Sequence, residues 1–260
     1  MEAIKAEFVI TGGARRDQDK IMTIMKQAWT ITRQDLRNNP YVLLWTLLFT
    51  MYLGFTISFV VSIELGKSGA LNPAADFVML VLTPFLGFIY NHRTFKYLQE
   101  DSYTHMLAFL RTLPILVSAV IMSRIQQAIL AFVGNSVVFF MLLFTLSGTL
   151  RVYAGPGFFI SFALTWIGYG MLIQALYIYL EFLRRGKAYF WLSLVIMVIC
   201  GMISVIVRIY GANLVSITAV FIKEWQLLSP VMWGALAMGS LAILVSYRIT
   251  LRRLVRRDLA

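Results

Sequence analysis

The side chains that could perform chemistry in this chain are few and widely separated. Gly66, Lys67 and Ser68 match the last three positions of a phosphate-binding loop, but Val61 stands where the pattern requires its first glycine. Without that glycine, the backbone cannot wrap a phosphate in the usual way. We interpret the match as chance and expect no ATP hydrolysis by this chain itself.

Other catalytic and metal-binding patterns are also missing from the sequence. Its two histidines, His92 and His105, have no further ligand at zinc-binding spacing. The single cysteine, Cys200, lies inside an apolar stretch, and no Gly-x-Ser-x-Gly nucleophile elbow occurs. The sequence therefore predicts neither an enzyme, nor a metal site, nor a disulfide.

The elements that carry these residues are long and apolar. Hydrophobic residues make up 60% of the 260 positions, and six stretches contain no Asp, Glu, Lys or Arg. A helix needs roughly 20 apolar residues to cross the hydrocarbon layer, and it satisfies its own backbone there. We predict an all-α, polytopic membrane protein whose domain 41–250 has six transmembrane helices. They lie at about 41–63, 74–92, 127–150, 157–180, 188–207 and 228–248, and Pro84 is expected to kink the second.

The stretch 112–150 allows a different count of spans. It holds a single charge, Arg124, and is long enough for two helices. A seventh span, however, would move the basic tail 251–260 to the other side of the membrane. We therefore interpret 113–124 as cytoplasmic or interfacial and begin the third span near Gln127.

The basic residues orient the six spans. Nineteen of the 23 lysines and arginines fall on one side, in the segments 1–40 and 93–124, the turn 181–187 and the chain end from Arg248. The positive-inside rule places this side, with both termini, in the cytoplasm. We predict a multi-pass protein of the plasma (inner, cytoplasmic) membrane. The net charge of +11 suits anionic lipid of the bilayer, and we expect no nucleic-acid partner.

The N-terminal segment 1–40 contains an amphipathic helix ahead of the first span. Basic side chains such as Lys20 and Arg33 lie largely away from its apolar side. That side is formed by Ile21, Ile24, Met25, Ala28 and Trp29. We predict that the helix lies in the membrane interface, with Trp29 at headgroup depth. A cytosolic helix with an apolar face is the alternative.

The cytoplasmic segment 93–124 contains a second amphipathic helix. Asp101 or Ser102 can cap its start, and Pro114 ends or bends it. Its apolar face repeats at helical spacing and consists of Tyr103, Met106, Leu107 and Leu110. Such a face needs a cover, which is either lipid or a cytosolic partner.

The stretch from Asp101 to Ile115, DSYTHMLAFLRTLPI, with Ser123 and Arg124 beyond it, resembles the ABC-2-type permeases. These are the membrane subunits of bacterial ATP-driven ABC exporters. The likeness lies in a tyrosine, a leucine a few residues later, and then Leu-Pro-Ile leading into the third span. Six spans preceded by an amphipathic helix resemble the same family along nearly the whole chain.

The resemblance implies a division of labour between subunits. A separate ABC-type ATPase, the nucleotide-binding subunit, would hold ATP and Mg²⁺, and no cofactor is expected in this chain. A second permease copy or a related permease would complete the translocation path. The resemblance assigns ATPase coupling to Asp101, Tyr103, Met106, Leu107, Leu110, Arg111 and Pro114. It does not identify the substrate.

Two other functions stay open at this point. An ion-coupled secondary transporter usually keeps ionisable groups within the membrane, whereas the six charge-free stretches contain no Asp, Glu, Lys or Arg. Their polar residues include Asn135, Ser136 and Gln174, which we interpret as interhelical hydrogen-bonding groups. A non-transporting immunity or binding protein with the same fold is the other alternative.

Overall fold

The computed structural model describes residues 2–38, 40–66, 73–89, 115–147 and 155–255, and within them it contains helices and no strand. In chain order the helices are α1 (Glu2–Asn38), α2 (Pro40–Gly66), α3 (Ala74–Phe85), α4 (Val117–Leu146), α5 (Pro156–Leu183), α6 (Gly186–Ile209), α7 (Leu214–Trp225) and α8 (Pro230–Val255). A short 3-10 turn, Gln226–Leu228, joins α7 to α8.

Five of these helices, α2, α4, α5, α6 and α8, are long and apolar enough to cross a membrane. The described ranges are therefore all-helical, and the chain is a multi-pass membrane protein. Helix α3 has 12 residues and is about 18 Å long, which is too short to span the hydrocarbon by itself. The predicted second span, 74–92, thus corresponds to a helix that ends at Phe85, and its last three residues lie outside the described residues.

Several helices extend beyond the limits expected from the sequence. Helix α4 begins at Val117, ten residues before the expected start of the third span, and includes the one charge of that stretch, Arg124, which is paired with Glu181 inside the protein. Helix α8 continues to Val255, into the segment expected to be a separate tail. Helix α7 occupies part of the region 208–229 that reads as a loop in the sequence.

The contacts between helices define two ends of the bundle. At the end that we call the α1 end, α1 bonds the first turns of α4, and the last turns of α5 and α8 meet through Tyr179 and Arg253. At the opposite end, which we call the far end, the hydroxyl of Ser204 on α6 donates to the carbonyl of Pro73 at 2.5 Å. Helices α4 and α6 therefore run from the α1 end to the far end, and α3, α5 and α8 run the other way.

The far end is held together by the buried carboxylate of Asp76 in the first turn of α3. Its two oxygens accept the backbone N–H groups of Leu214 and Val215 at 2.7 and 3.0 Å. Asn213 caps the start of α7 by accepting the N–H of Ser216 at 2.8 Å. These bonds satisfy N–H groups that the start of α7 would otherwise leave without partners. The start of α3 is thereby fixed to α7.

Helices α5 and α8 approach each other at the level of their backbones. A Cβ added to Gly239 would lie 2.4 Å from the carbonyl oxygen of Gly168, and one added to Gly168 would lie 2.5 Å from the carbonyl carbon of Ala235. Small residues allow this distance between helices in a membrane, where van der Waals packing replaces the hydrophobic effect. Because α8 also bonds α5 through Ser246 and the carbonyl of Ala175, the two helices form one paired unit.

Candidate functional site: a polar network and a helix break

The residues assigned to ATPase coupling, 101–114, lie outside the described residues. The structure resumes at residue 115, and α4 begins at Val117. The first turns of α4 are therefore the described residues that follow the predicted coupling segment most closely in the chain.

The predicted interfacial residues lie in the second half of α1. Ala28 is fully buried, as is Thr32 one turn further on, because α1 packs there against α4. Ile21, Met25 and Trp29 are roughly half exposed, and Ile24 is half-buried. The predicted apolar side of α1 is thus covered by protein at Ala28 and open at Ile21 and Met25. The depth of α1 in a membrane stays a prediction.

A polar network joins α1, α4 and α5 at the α1 end. Its centre is an ion pair in which Nε of Arg124 donates to Oε2 of Glu181 at 2.9 Å, with both side chains largely buried. Nη1 of Arg124 also donates to Oε1 of Gln127 at 3.2 Å. Gln127 in turn donates through Nε2 to Oδ2 of the exposed Asp35 at 3.0 Å. A chain of bonds therefore runs from α1 through α4 to α5.

A second contact ties α1 to α4 beside this chain. The hydroxyl of Thr32 donates to the backbone carbonyl of Ser123 at 3.2 Å. We call the six residues of these contacts the α1-end network: Thr32, Asp35, Ser123, Arg124, Gln127 and Glu181. The network fixes the first turns of α4, which directly follow the predicted coupling segment, to two neighbouring helices.

The other polar cluster surrounds the end of α3. This helix stops at Phe85, one residue after Pro84, and residues 86–89 are not helical. The side-chain amide of Asn135 on α4 donates to the carbonyls of Leu86 at 2.9 Å and Phe88 at 3.5 Å. Nε2 of Gln174 on α5 lies 3.4 Å from the carbonyl of Gly87. We call residues 86–88, with Asn135 and Gln174, the helix break.

Gly87 allows this irregular backbone to lie close to its neighbours. A Cβ at Gly87 would be 2.3 Å from a ring carbon of Phe132 and 3.0 Å from Cδ of Gln174, so no larger residue fits. Gly170 on α5 faces the same ring: a Cβ added there would lie 3.0 Å from a ring carbon of Phe132. Non-helical backbone within a membrane protein is tolerated where protein covers it. Here Phe132, Asn135 and Gln174 provide that cover.

One side-chain oxygen of the break has no hydrogen-bond partner among the described residues. It is Oε1 of Gln174, whose residue is 1% exposed. An unsatisfied buried acceptor costs about 1–3 kcal/mol, so Oε1 of Gln174 is an expensive group to leave unpaired. The break therefore presents a neutral oxygen atom that can still accept a hydrogen bond or a ligand.

The helix break and the α1-end network touch each other. The guanidinium carbon of Arg124 lies 6.0 Å from the ring centre of Phe88, within the range of a cation–π contact. Phe88 also packs edge-on against Tyr177 of α5, with ring centres 5.4 Å apart. A change in the network would thus be felt at the break through Phe88.

Parts of this arrangement have a signal in the sequence. Arg124 is the only charge in a long apolar stretch, and Glu181 is the carboxylate at the end of another. Isolated opposite charges beside membrane spans tend to pair, so an ion pair between Arg124 and Glu181 could be expected from the sequence. The contacts of Asn135 and Gln174 with backbone carbonyls have no comparable signal, because a backbone acceptor looks the same at every position.

The comparisons with known proteins leave the chain without an assigned family. No family model matches the sequence, and neither a curated protein nor a solved structure matches it at a significant level. Within the described ranges, no group of three or more His, Cys, Asp or Glu side chains could hold a metal ion.

Proposed function

We propose that this chain is the membrane-spanning permease subunit of an ATP-driven ABC-2-type exporter in a bacterial plasma membrane. Its path would be completed by a second permease copy or a related permease, and ATP would be hydrolysed by a separate ABC-type ATPase. The proposal rests first on the resemblance of residues 101–115 to such permeases.

The proposal includes six spans with both termini in the cytoplasm. Helices α2, α4, α5, α6 and α8 are five candidates, and α3 with the residues that follow it would make the remaining crossing. Alternation of these six crossings agrees with the directions of α3 to α6 and α8 in the bundle. Most basic residues then lie at the α1 end, which is the side that the positive-inside rule assigns to the cytoplasm.

The structural observation that supports the coupling part of the proposal is the continuity of α4. This helix starts three residues after Pro114 and runs for 30 residues without interruption. A coupling segment pushed by an ATPase would move α4 as a rigid rod. The ion pair between Arg124 and Glu181 would pass the movement on to α5, and the bonds of Thr32 and Asp35 would pass it on to α1.

The proposal predicts that Leu107→Asp abolishes recovery of an ATPase partner and abolishes transport, while membrane insertion is retained. A charge at this position would oppose docking of the apolar face in a groove of the ATPase. The measurement is a mild-detergent pull-down of the tagged protein from its native membrane, followed by mass spectrometry for a P-loop ATPase.

Ala108→Asp provides a matched control, because helical spacing places residue 108 away from the face that contains Leu107. It should recover the ATPase at the wild-type level. Equal recovery by Leu107→Asp would mean that the coupling assignment is wrong. Recovery of the wild-type chain alone, in several detergents, would favour an ion-coupled carrier or a stand-alone binding protein.

A further inference from the structure

The helix break lies deep within the apolar part of the bundle. Asn135, which bonds the carbonyls of the break, follows Gln127 by eight residues on α4, or about 12 Å. Gln127 bonds the exposed Asp35, so its level marks the polar boundary at the α1 end. Half of a hydrocarbon layer is about 15 Å. Asn135 therefore lies well inside the apolar part of α4, while the ring of Phe88 extends back towards the guanidinium of Arg124.

The carbonyl oxygens of Leu86 and Phe88 lie within 3.5 Å of one nitrogen, Nδ2 of Asn135, and they carry no formal charge. The carbonyls of Leu86, Gly87 and Phe88 stand at the C-terminal end of α3, which is the negative end of the helix dipole. Each carbonyl oxygen has two lone pairs, and the amides of Asn135 and Gln174 use one on each. As far as the described residues go, a second lone pair on each carbonyl can therefore accept another donor or a cation.

Gln174 supplies a further oxygen that none of the described residues satisfies. Its Oε1 is buried and has no partner among them, while its Nε2 lies against the carbonyl of Gly87 at the long distance of 3.4 Å. The described residues therefore hold both ends of the amide only weakly. A bound cation would satisfy Oε1 and would also use the free lone pairs of the carbonyls.

We propose that the helix break binds a monovalent cation, with the carbonyls of Leu86 and Gly87 and Oε1 of Gln174 among its ligands. Sites for divalent cations in proteins usually include carboxylates, and the residues of the helix break include none, whereas neutral carbonyls alone suit Na⁺ or K⁺. The C-terminal ends of interrupted helices are a recurring place for such ions in membrane proteins. This inference goes beyond the proposed function, because the cation site needs no ATPase.

The test uses the purified full-length chain, so its failure is independent of the exporter proposal. Thermal unfolding is followed in NaCl, KCl and choline chloride at equal ionic strength. The wild-type midpoint should rise by about 2–4 °C, in a saturable manner, with Na⁺ or K⁺ relative to choline, because a ligand of the native state stabilises it. Binding of radioactive sodium or rubidium to the same sample gives a direct readout.

Gln174→Leu removes the ligand oxygen at similar side-chain volume, and we expect it to lose the ion-dependent rise. Thr56→Val is the matched control, because the hydroxyl of Thr56 bonds only the carbonyl of Tyr52 in its own helix. It should keep the rise. Should Gln174→Leu not fold, Gln174→Glu retains the oxygen and should preserve or increase the response.

Three results would overturn the proposal. The first is equal midpoints of the wild-type protein in the three salts. The second is an unchanged ion response in a folded Gln174→Leu variant. The third is loss of the response in a folded Gln174→Glu variant, since this substitution keeps the proposed ligand oxygens. In each case, ordered water would be the better account of the unsatisfied Oε1 of Gln174.

Discussion

The α1-end network and the helix break satisfy buried polar groups in different ways. The network uses an ion pair, Arg124 with Glu181, and continues through Gln127 to an exposed carboxylate on Asp35. The break uses the neutral amides of Asn135 and Gln174 against backbone carbonyls. Charges lie where the bundle reaches its polar boundary, and neutral amides lie about 12 Å deeper.

The difference shows how the cost of burial depends on depth. An ion in the middle of a bilayer is far more costly than one near its edge, where a long side chain can reach polar surroundings. Removing one partner of an ion pair leaves an unpaired charge, whereas removing an amide donor leaves an unpaired neutral acceptor. The two clusters should therefore respond to substitution by different amounts.

The largest effect is expected when the ion pair is broken. Glu181→Ala leaves the largely buried guanidinium of Arg124 without its carboxylate and should lower the free energy of unfolding by about 3 kcal/mol. Denaturation in mixed detergent micelles measures this loss. Glu224→Ala, which removes an exposed carboxylate on α7, should change the stability by less than about 0.5 kcal/mol.

A charge exchange separates the pairing from the identity of the side chains. The double variant Arg124→Glu, Glu181→Arg restores an ion pair at the same two positions. It should therefore recover at least about half of the stability that Glu181→Ala loses. A double variant less stable than either single variant would indicate that packing, and not pairing, makes these positions sensitive.

The intermediate effect is expected at the helix break. Asn135→Leu keeps a similar volume but removes the donor to the carbonyls of Leu86 and Phe88. Stability should fall by about 1–2 kcal/mol, the usual cost of leaving buried neutral acceptors unpaired. Denaturation in the same mixed detergent micelles measures this loss of unfolding free energy. A loss as large as that of Glu181→Ala would contradict the distinction between charged and neutral clusters.

The smallest effect is expected at the exposed end of the network. Asp35→Ala removes the acceptor of the Gln127 amide, but Asp35 is exposed and water can replace it. The expected loss is below about 1 kcal/mol, and it should shrink further at high salt if charge contributes to it. A salt titration of the unfolding midpoint, compared between wild type and variant, checks this.

The helical class could be predicted from the sequence because its signal is local. Stretches without Asp, Glu, Lys or Arg mark the long apolar helices α2, α4, α5, α6 and α8, and turn residues such as Gly155 and Pro156 lie where α5 begins. Pro84 indicated a disturbance of the second span, and α3 does end one residue after it. Each of these signals acts within one or two turns of the chain.

The candidate site could be predicted only in part because its contacts join distant residues. Asn135 bonds a carbonyl 49 positions away, and Arg124 pairs with a carboxylate 57 positions away. The early start of α4 is similar, since a single charge such as Arg124 suggests the end of a span but does not interrupt a helix. Asn135 and Gln174 lie against backbone carbonyls, as expected of hydrogen-bonding groups, but nothing in the sequence indicates which carbonyls accept. The hydroxyl of Ser136, expected to bond in the same way, has no partner among the described residues.

The length of α4 has a consequence for the choice of bilayer. At 30 residues the helix is about 45 Å long, whereas the hydrocarbon layer is about 30 Å thick. The surplus is available as tilt or as turns that protrude at the α1 end. Membranes between about 27 and 33 Å in hydrocarbon thickness can therefore accommodate α4 by a change of tilt, without exposing its apolar side chains to water. The other candidate spans, α2, α5, α6 and α8, have 24 to 28 residues and also exceed this thickness, but by less than α4 does.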